Sequence, residues 1–136
     1  MRRGEAGSTV VEITMFVPVI LLFLLLVVGM GRLASTRADV DGAARDAARA
    51  ASFQRDSASA LQAARDAATA TLSDRGILCQ NLGVRFDPQT NFTNGGAGGI
   101  DVDCTVRLDE TVMTGLPGRK MLTGRFVAPI DLHRGA

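Results

Sequence analysis

Residues 7–33 read GSTVVEITMFVPVILLFLLLVVGMGRL, and this stretch decides the fold. From Ile13 to Met30 only Thr14 carries a polar side chain, and only Pro18 lacks a backbone N–H. An α-helix rises about 1.5 Å per residue, so Val10 to Met30 extends about 30 Å, the hydrocarbon thickness of a bilayer. The stretch therefore reads as a membrane-spanning helix. Two features at its N-terminal edge are foreign to a plain anchor. A short basic leader with Arg2 and Arg3 ends at Gly7, and a carboxylate, Glu12, stands five residues further on.

Outside the span, the 136-residue chain has room for one small domain. Its 15 Lys and Arg against 14 Asp and Glu, with no Trp or Tyr, give no case for a nucleic-acid partner. Alanine supplies much of the remaining apolar content. Each Ala removes little area from water, at about 25 cal/mol per Å², so the core is thin and calls for a staple or for neighbours.

Cys79 and Cys104 are the only cysteines, too few for a structural zinc site, and the sole histidine, His133, lies far off in sequence. In a cytosolic chain they would be a reduced, inert pair. In a domain across a bacterial-type membrane a Cys79–Cys104 disulfide is expected, closing a loop of about 25 residues for about 3–4 kcal/mol. A secretory signal would have a shorter apolar core and a small-x-small site after it. Thr36-Arg37-Ala38 is a poor one. Charge leaves orientation open, with Arg2 and Arg3 before the span and Arg32 and Arg37 after it.

Beyond the span, Val40, Ala44, Ala47 and Ala51 form one narrow stripe at helical spacing. Asp41–Arg45 and Asp46–Arg49 are spaced for local ion pairs on the other side. The membrane helix is thus expected to continue into water, although Gly42 costs about 1 kcal/mol of propensity there. Asp56 or Ser57 can cap a second helix, with Leu61, Ala64, Ala68 and Leu72 on one face and a stop at Asp74-Arg75-Gly76. The hexad AARDAA occurs at 43–48 and 63–68, but nothing around the copies matches, which points to biased composition rather than duplication.

After Gly76 the period becomes two. Leu82 to Phe86 and Ile100 to Leu108 alternate as half-buried strands do, with Ile100, Val102, Cys104, Val106 and Leu108 on the core face. Asp101, Asp103, Thr105 and Arg107 take the opposite face. Asp87-Pro88 opens a loop that ends in the flexible-looking Asn94–Gly99 run. Asn91-Phe92-Thr93 matches a glycosylation sequon of little specificity. Thr114 to Lys120 reads as a further turn, and a last strand runs from about Met121 to Ile130, with Pro129 marking a sheet edge. The fold class is α+β: a transmembrane helix extended into an Ala-rich one, a second helix, then a small antiparallel sheet. Its parts are a leader (1–7), a transmembrane helix (8–33), an Ala-rich helical region (34–76) and a β domain (77–136).

Locally, Thr9-Val10-Val11-Glu12 can form a capping box, with Thr9 as N-cap and Glu12 at the third helical position. That does not explain a carboxylate at the edge of a lipid-buried run, where a charge costs a few kcal/mol. Nor does it explain a basic leader that stops at Gly7. Pro18 removes a bond to the carbonyl of Thr14 and is either a tolerated membrane proline or a kink that helps helices pack.

Leader, Gly7, the small Ser8 after it and Glu12 at the fifth mature position resemble a type IV prepilin processing site. With the aliphatic run, Gly29, Gly31-Arg32 and the alanine-rich sequence that follows, the first 50 or so residues are similar to the TadE-like family. Those proteins are the pseudopilins of tight-adherence (Flp-type) pilus systems. The resemblance implies cleavage between Gly7 and Ser8 by a prepilin peptidase at the cytoplasmic face. It also implies pairing of Glu12 with a neighbouring subunit's new amine, and a soluble domain on the outer side of the inner membrane. Ile13 departs from the aromatic often found after the glutamate. The chain is also much longer than major Flp pilins, which suits a minor or accessory subunit.

The partners expected are other pilin subunits, the prepilin peptidase and membrane lipid, with no small-molecule substrate and no cofactor. Nucleophile–base pairs, phosphate loops and metal spacings are missing from the sequence, so enzymatic activity is not expected. The alternative reading is an unprocessed single-span protein whose outer domain binds a ligand or partner.

Overall fold

The computed structural model describes residues 6–90, 96–107 and 118–130, and the side chains from Val11 onward within these. The leader residues 1–5, Leu108, the sequon at 91–93, the turn residues 114–117 and His133 lie outside them. Helix α1 runs from Ala6 to Ser52, α2 from Ser57 to Asp74, and strands β1 (Asn81–Phe86), β2 (Ala97–Arg107) and β3 (Arg119–Pro129) follow. The architecture is α+β, as expected. At 47 residues, α1 is about 70 Å long, and it continues through both Pro18 and Gly42. Its start differs from the capping-box expectation. The backbone is already helical at Ala6, so Thr9 is not an N-cap and Glu12 lies beyond the first turn.

The two halves of α1 meet different surroundings. Every large apolar side chain from Val11 to Met30 is exposed, on all sides of the helix. Past Leu33 the residues become small and one face is covered, with Val40, Ala43, Ala44 and Ala47 all at 0 % exposure. Helix α2 returns antiparallel against this face, laying Ala60, Ala64, Ala68 and Leu72 on the alanines of α1. Neither expected ion pair along α1, Asp41–Arg45 or Asp46–Arg49, forms among the described residues. Asp46 accepts a hydrogen bond from Thr71 Oγ1 of α2 at 2.9 Å, and Arg45 lies over the Phe126 ring of β3 at 5.8 Å. Tertiary neighbours offered better contacts than the exposed local pairs.

Both ends of α2 are closed by named groups. Asp56 caps its start, accepting from the amides of Ala58 and Ser59 and from Ser59 Oγ at 2.6 Å. These bonds, the Ser59 hydroxyl's first, hold the Asp56 carboxyl below the usual carboxylate range. At the other end Gly76 takes φ +70, a left-handed conformation that suits glycine. The Ile77 and Gly76 amides then bond back to Leu72 and Ser73 carbonyls at 2.9 Å, which is the Schellman closure.

The sheet is antiparallel in the order β1-β2-β3. Its core face carries Val84, Ile100, Val102, Cys104, Val106 and Leu122, packed on α1 and, through β1, on α2. Pro129 sits at the end of the edge strand β3, as its missing N–H required. Two loop expectations are corrected: Ala97–Gly99 are the start of β2, paired with Val127–Pro129, and Arg119 and Lys120, expected in the turn, open β3 opposite Arg107 and Val106. Gly99 is needed for packing, since a Cβ there would lie 2.8 Å from Asp87 Cβ and 2.9 Å from Thr90 Oγ1.

The tightest approach is at Gly124. In the middle of β3 it faces α1 so closely that a Cβ would lie 2.6 Å from the Val40 carbonyl oxygen and 3.1 Å from Asp41 Cα. Backbone cannot swing aside as a side-chain tip can. Gly124→Ala is therefore expected to force β3 off α1, at about 1–3 kcal/mol. Gly83→Ala, whose Cβ would meet Asp103 Cβ at an ordinary 3.5 Å, should leave the melting temperature nearly unchanged. Circular dichroism melts of the two variants in detergent micelles make the comparison, and equal melting temperatures would exclude the close-approach account.

Cys79 and Cys104 are joined in a disulfide, with Cα atoms 5.3 Å apart. The bridge ties the segment between α2 and β1 to the central strand. Cys104→Ser should lower stability by about 3–4 kcal/mol in the chain-entropy account, and denaturant titration of oxidised protein against the variant measures it.

Candidate processing and assembly site

Gly7 and Ser8 belong to the first turns of α1, and Glu12 follows Ser8 by four residues, one turn up the helix and about 6 Å along its axis. The structure thus brings the expected scissile bond and the carboxylate to one end of one helix. Glu12 is exposed and, among the described residues, makes no hydrogen bond or ion pair. A carboxylate at the mouth of an apolar helix with no partner among the described residues calls for charge compensation from another source. Pro18 lies one and a half turns above it, inside the helix.

The helix bearing these residues is long and apolar enough to cross a membrane. Its exposed apolar surface far exceeds the few hundred Å² that soluble monomers leave in contiguous patches. Val11 to Met30 carry that surface.

A second polar constellation, on the outer face of the sheet, went unrecognised in the sequence. Arg85, Asp101 and Arg125 are opposite one another across β1, β2 and β3. Asp101 is only 1 % exposed. Arg125 donates to it from Nε at 2.7 Å and Nη2 at 3.2 Å, and Arg85 Nε stands 3.6 Å away. Asp87, also buried, lies 3.6 Å from Arg125 Nε and accepts from the Gln89 amide at 2.9 Å. Next along β2, Asp103 takes Arg85 Nη1 at 2.9 Å and the Thr123 hydroxyl at 2.6 Å.

The hydrogen bond from Arg125 to Asp101, with the charges of Asp101 and Asp87 behind it, pushes the guanidinium pKa up. Alternation placed Asp101 on the outward face correctly. Its burial arises because two arginines from flanking strands fold over it, and a single strand's pattern cannot show that. The network closes the outer face of the sheet and is a structural feature rather than a reactive one. Among the described residues no group of three or more His, Cys, Asp or Glu could hold a metal ion.

Fold and site together define a class: an α+β head carried on one long N-terminal helix that is long and apolar enough to cross a membrane, with the Glu12 carboxylate near the far end. Residues 7–49 match the family model of TadE-like proteins. The matched segment starts at the glycine of the expected cleavage point and ends within the alanine stripe. It supports a role connected with tight-adherence (Flp-type) pili, in a setting of other pilin subunits. No curated protein and no solved structure matches the chain.

Asp101→Ala should destabilise the head by about 1–3 kcal/mol, because both arginines lose a charge-assisted partner. Asp103→Ala, at a half-buried position, should cost less. Equilibrium unfolding of the two variants ranks them, and the reverse order would count against the network as the closure of this face.

Proposed function

We propose that the protein is a TadE-like minor pilin or pseudopilin, cleaved between Gly7 and Ser8 by a prepilin peptidase. Its mature helix then takes part in assembling a tight-adherence pilus or related secretion machinery. The observation that carries this reading is the matched segment itself. Gly7, Ser8 and Glu12 stand at the end of a helix whose apolar side chains are exposed from Val11 to Met30.

An exposed apolar cylinder is stable in lipid or against other such cylinders. Lipid tails are as apolar as leucine, so association of these helices needs a further term. Glu12 supplies one. Cleavage creates an amine at Ser8, and a carboxylate in the same low-dielectric layer of an adjacent subunit gains strongly from pairing with it. One such pair per contact would set the axial register of the packed helices. A local capping role for Glu12 is the weaker account, because the helix already begins at Ala6.

In this reading the head lies on the extracytoplasmic side of the inner membrane, which the disulfide supports, since such bonds persist in oxidising compartments. The role is structural and interactive rather than enzymatic.

Protein recovered from a peptidase-competent host should begin at Ser8, and Gly7→Leu should retain the leader. Glu12→Ala should be processed and yet fail to assemble. Glu12→Gln separates charge pairing from capping, because a capping box accepts glutamine. N-terminal sequencing and recovery in sheared pilus or membrane fractions read these outcomes. An intact leader on the unsubstituted chain, or full assembly of Glu12→Gln, would overturn the proposal.

A further inference from the structure

Strand β3 has an open edge. The Ile130 amide donates to the Gly96 carbonyl at 2.9 Å, continuing the register of β2 with β3. Counting back in twos, Ala128, Phe126, Gly124 and Leu122 turn their N–H and C=O toward β2, as alternate residues of an antiparallel pair do. Arg119, Met121, Thr123, Arg125 and Val127 therefore turn theirs outward. Among the described residues no backbone group pairs with them. Pro129, next in the outward series, has no N–H to leave unpaired. Nothing blunts the edge below it. Met121 and Val127 are exposed, and the Arg125 side chain is turned back onto Asp101.

Apolar surface and positive charge flank this edge. A groove of about 520 Å³ lies between α1 and the upper part of β3, with Phe126 and the 74 % exposed Phe53 in its walls. Arg45 and Arg49 line its α1 side, while Arg119 and Lys120 are exposed at the other end of β3. None of these cations is in an ion pair among the described residues. The carboxylates on the same stretch of α1 are Asp41 and Asp46, and Asp46 accepts from Thr71 of α2. Four cations against two carboxylates leave the edge positive.

Direction decides what can pair there. β3 runs along α1 in the same sense, with Gly124 against Val40 and Asp41, Phe126 beneath Arg45, and Ala128 near Ala48 and Ala51. β1 runs parallel to β3. A second copy standing in the same membrane therefore offers only edge strands that point the same way. Its pairing would be parallel, the weaker kind, and β3 against β3 would set cations beside cations. An acidic segment from another protein meets neither obstacle.

We infer that β3 takes one extended acidic segment of a partner protein as an added, antiparallel strand. The outward groups from Arg119 to Val127 cover about 27 Å, which about eight or nine extended residues match. Alternate side chains of the segment rest on Met121 and Val127 on one face and enter the groove beside Phe126 and Phe53 on the other. Its carboxylates meet Arg45 and Arg49 above, and Arg119 and Lys120 below. The inference goes beyond the pilin reading and holds whether or not Gly7 is cleaved. The exclusion of a second copy rests on the membrane-spanning reading of α1.

The probe is a capped peptide alternating glutamate and valine over about nine residues, the length of the open edge. It is added to the isotopically labelled full chain in detergent micelles, and amide exchange is followed by NMR. The Met121, Thr123, Arg125 and Val127 amides should exchange about tenfold more slowly with peptide bound. Those of Leu122 and Gly124, already bonded to β2, should not change. A nitroxide at the peptide's N-terminus should broaden Val127 and spare Met121, as antiparallel addition requires. Val127→Pro removes an outward donor and no bond to β2, so it should keep the melting temperature and weaken binding about fivefold. Arg45→Gln combined with Arg49→Gln should weaken it about threefold at low salt and less at high salt. The same peptide with lysine for glutamate, or with every backbone amide methylated, should leave exchange unchanged. No slowing by the glutamate peptide, or equal slowing by either control, would overturn the inference. So would outward amides that are protected in the chain alone and lose protection on dilution, the signature of a second copy on this edge.

Discussion

The head depends on one close approach, that of β3 to α1 at Gly124. With the Val40 carbonyl and Asp41 Cα directly against the strand, helix and sheet sit nearer than most side chains would permit. The rest of the core is scaled to that distance. Ala43, Ala44, Ala47 and Ala48 on α1 face Ala60, Ala64 and Ala68 on α2. Larger apolar groups are kept for the sheet, at Ile100, Val102 and Leu122. Small residues bury little area each, so their contribution comes from bringing backbones together and excluding water, not from the size of each side chain. A core of this kind has little reserve, which gives the Cys79–Cys104 bridge and the closed ends of α2 their importance.

A single helix joins two solvents. From Val11 to Met30 α1 presents large apolar groups in every direction, while from Val40 onward it presents small ones on one side and charges on the other. The first half suits lipid or neighbouring helices, and the second suits its own head. Continuity through Gly42 means that the position of the head follows directly from the position of the span. Any force that shifts or rotates the apolar half is passed rigidly to the sheet. That coupling suits the proposed subunit, assembled through its apolar helix.

The outer face of the sheet shows how charge can close a surface. Asp101 is buried beneath Arg85 and Arg125, and Asp87 is drawn in by the same guanidinium and by the turn that follows it. The arginine heads stay half-exposed and hydrated while the carboxylates are covered. The arrangement therefore avoids most of the desolvation that a fully buried ion pair would carry.

Much of the fold is legible in the sequence. Apolar runs, helical stripes and alternation depend on neighbours within a few residues, so the span, the alanine face of α1, the caps of α2 and the core face of β2 could be read directly. The Gly7, Ser8 and Glu12 constellation was equally visible, because its meaning lies in residue type and spacing. What escaped were features made by residues distant in the chain. Gly98 and Gly99 looked like loop because glycine is a poor strand former, yet Asp87 and Thr90 leave no room for a Cβ at Gly99. Asp46 and Arg45 found partners on α2 and β3 in place of their helical neighbours. The burial of Asp101 required arginines from two other strands. Local periodicity determined the elements, and residue type and spacing marked the Gly7, Ser8 and Glu12 constellation. Only the tertiary structure decided which backbones touch and which charges are covered, since those depend on register between segments that no single stretch of sequence contains.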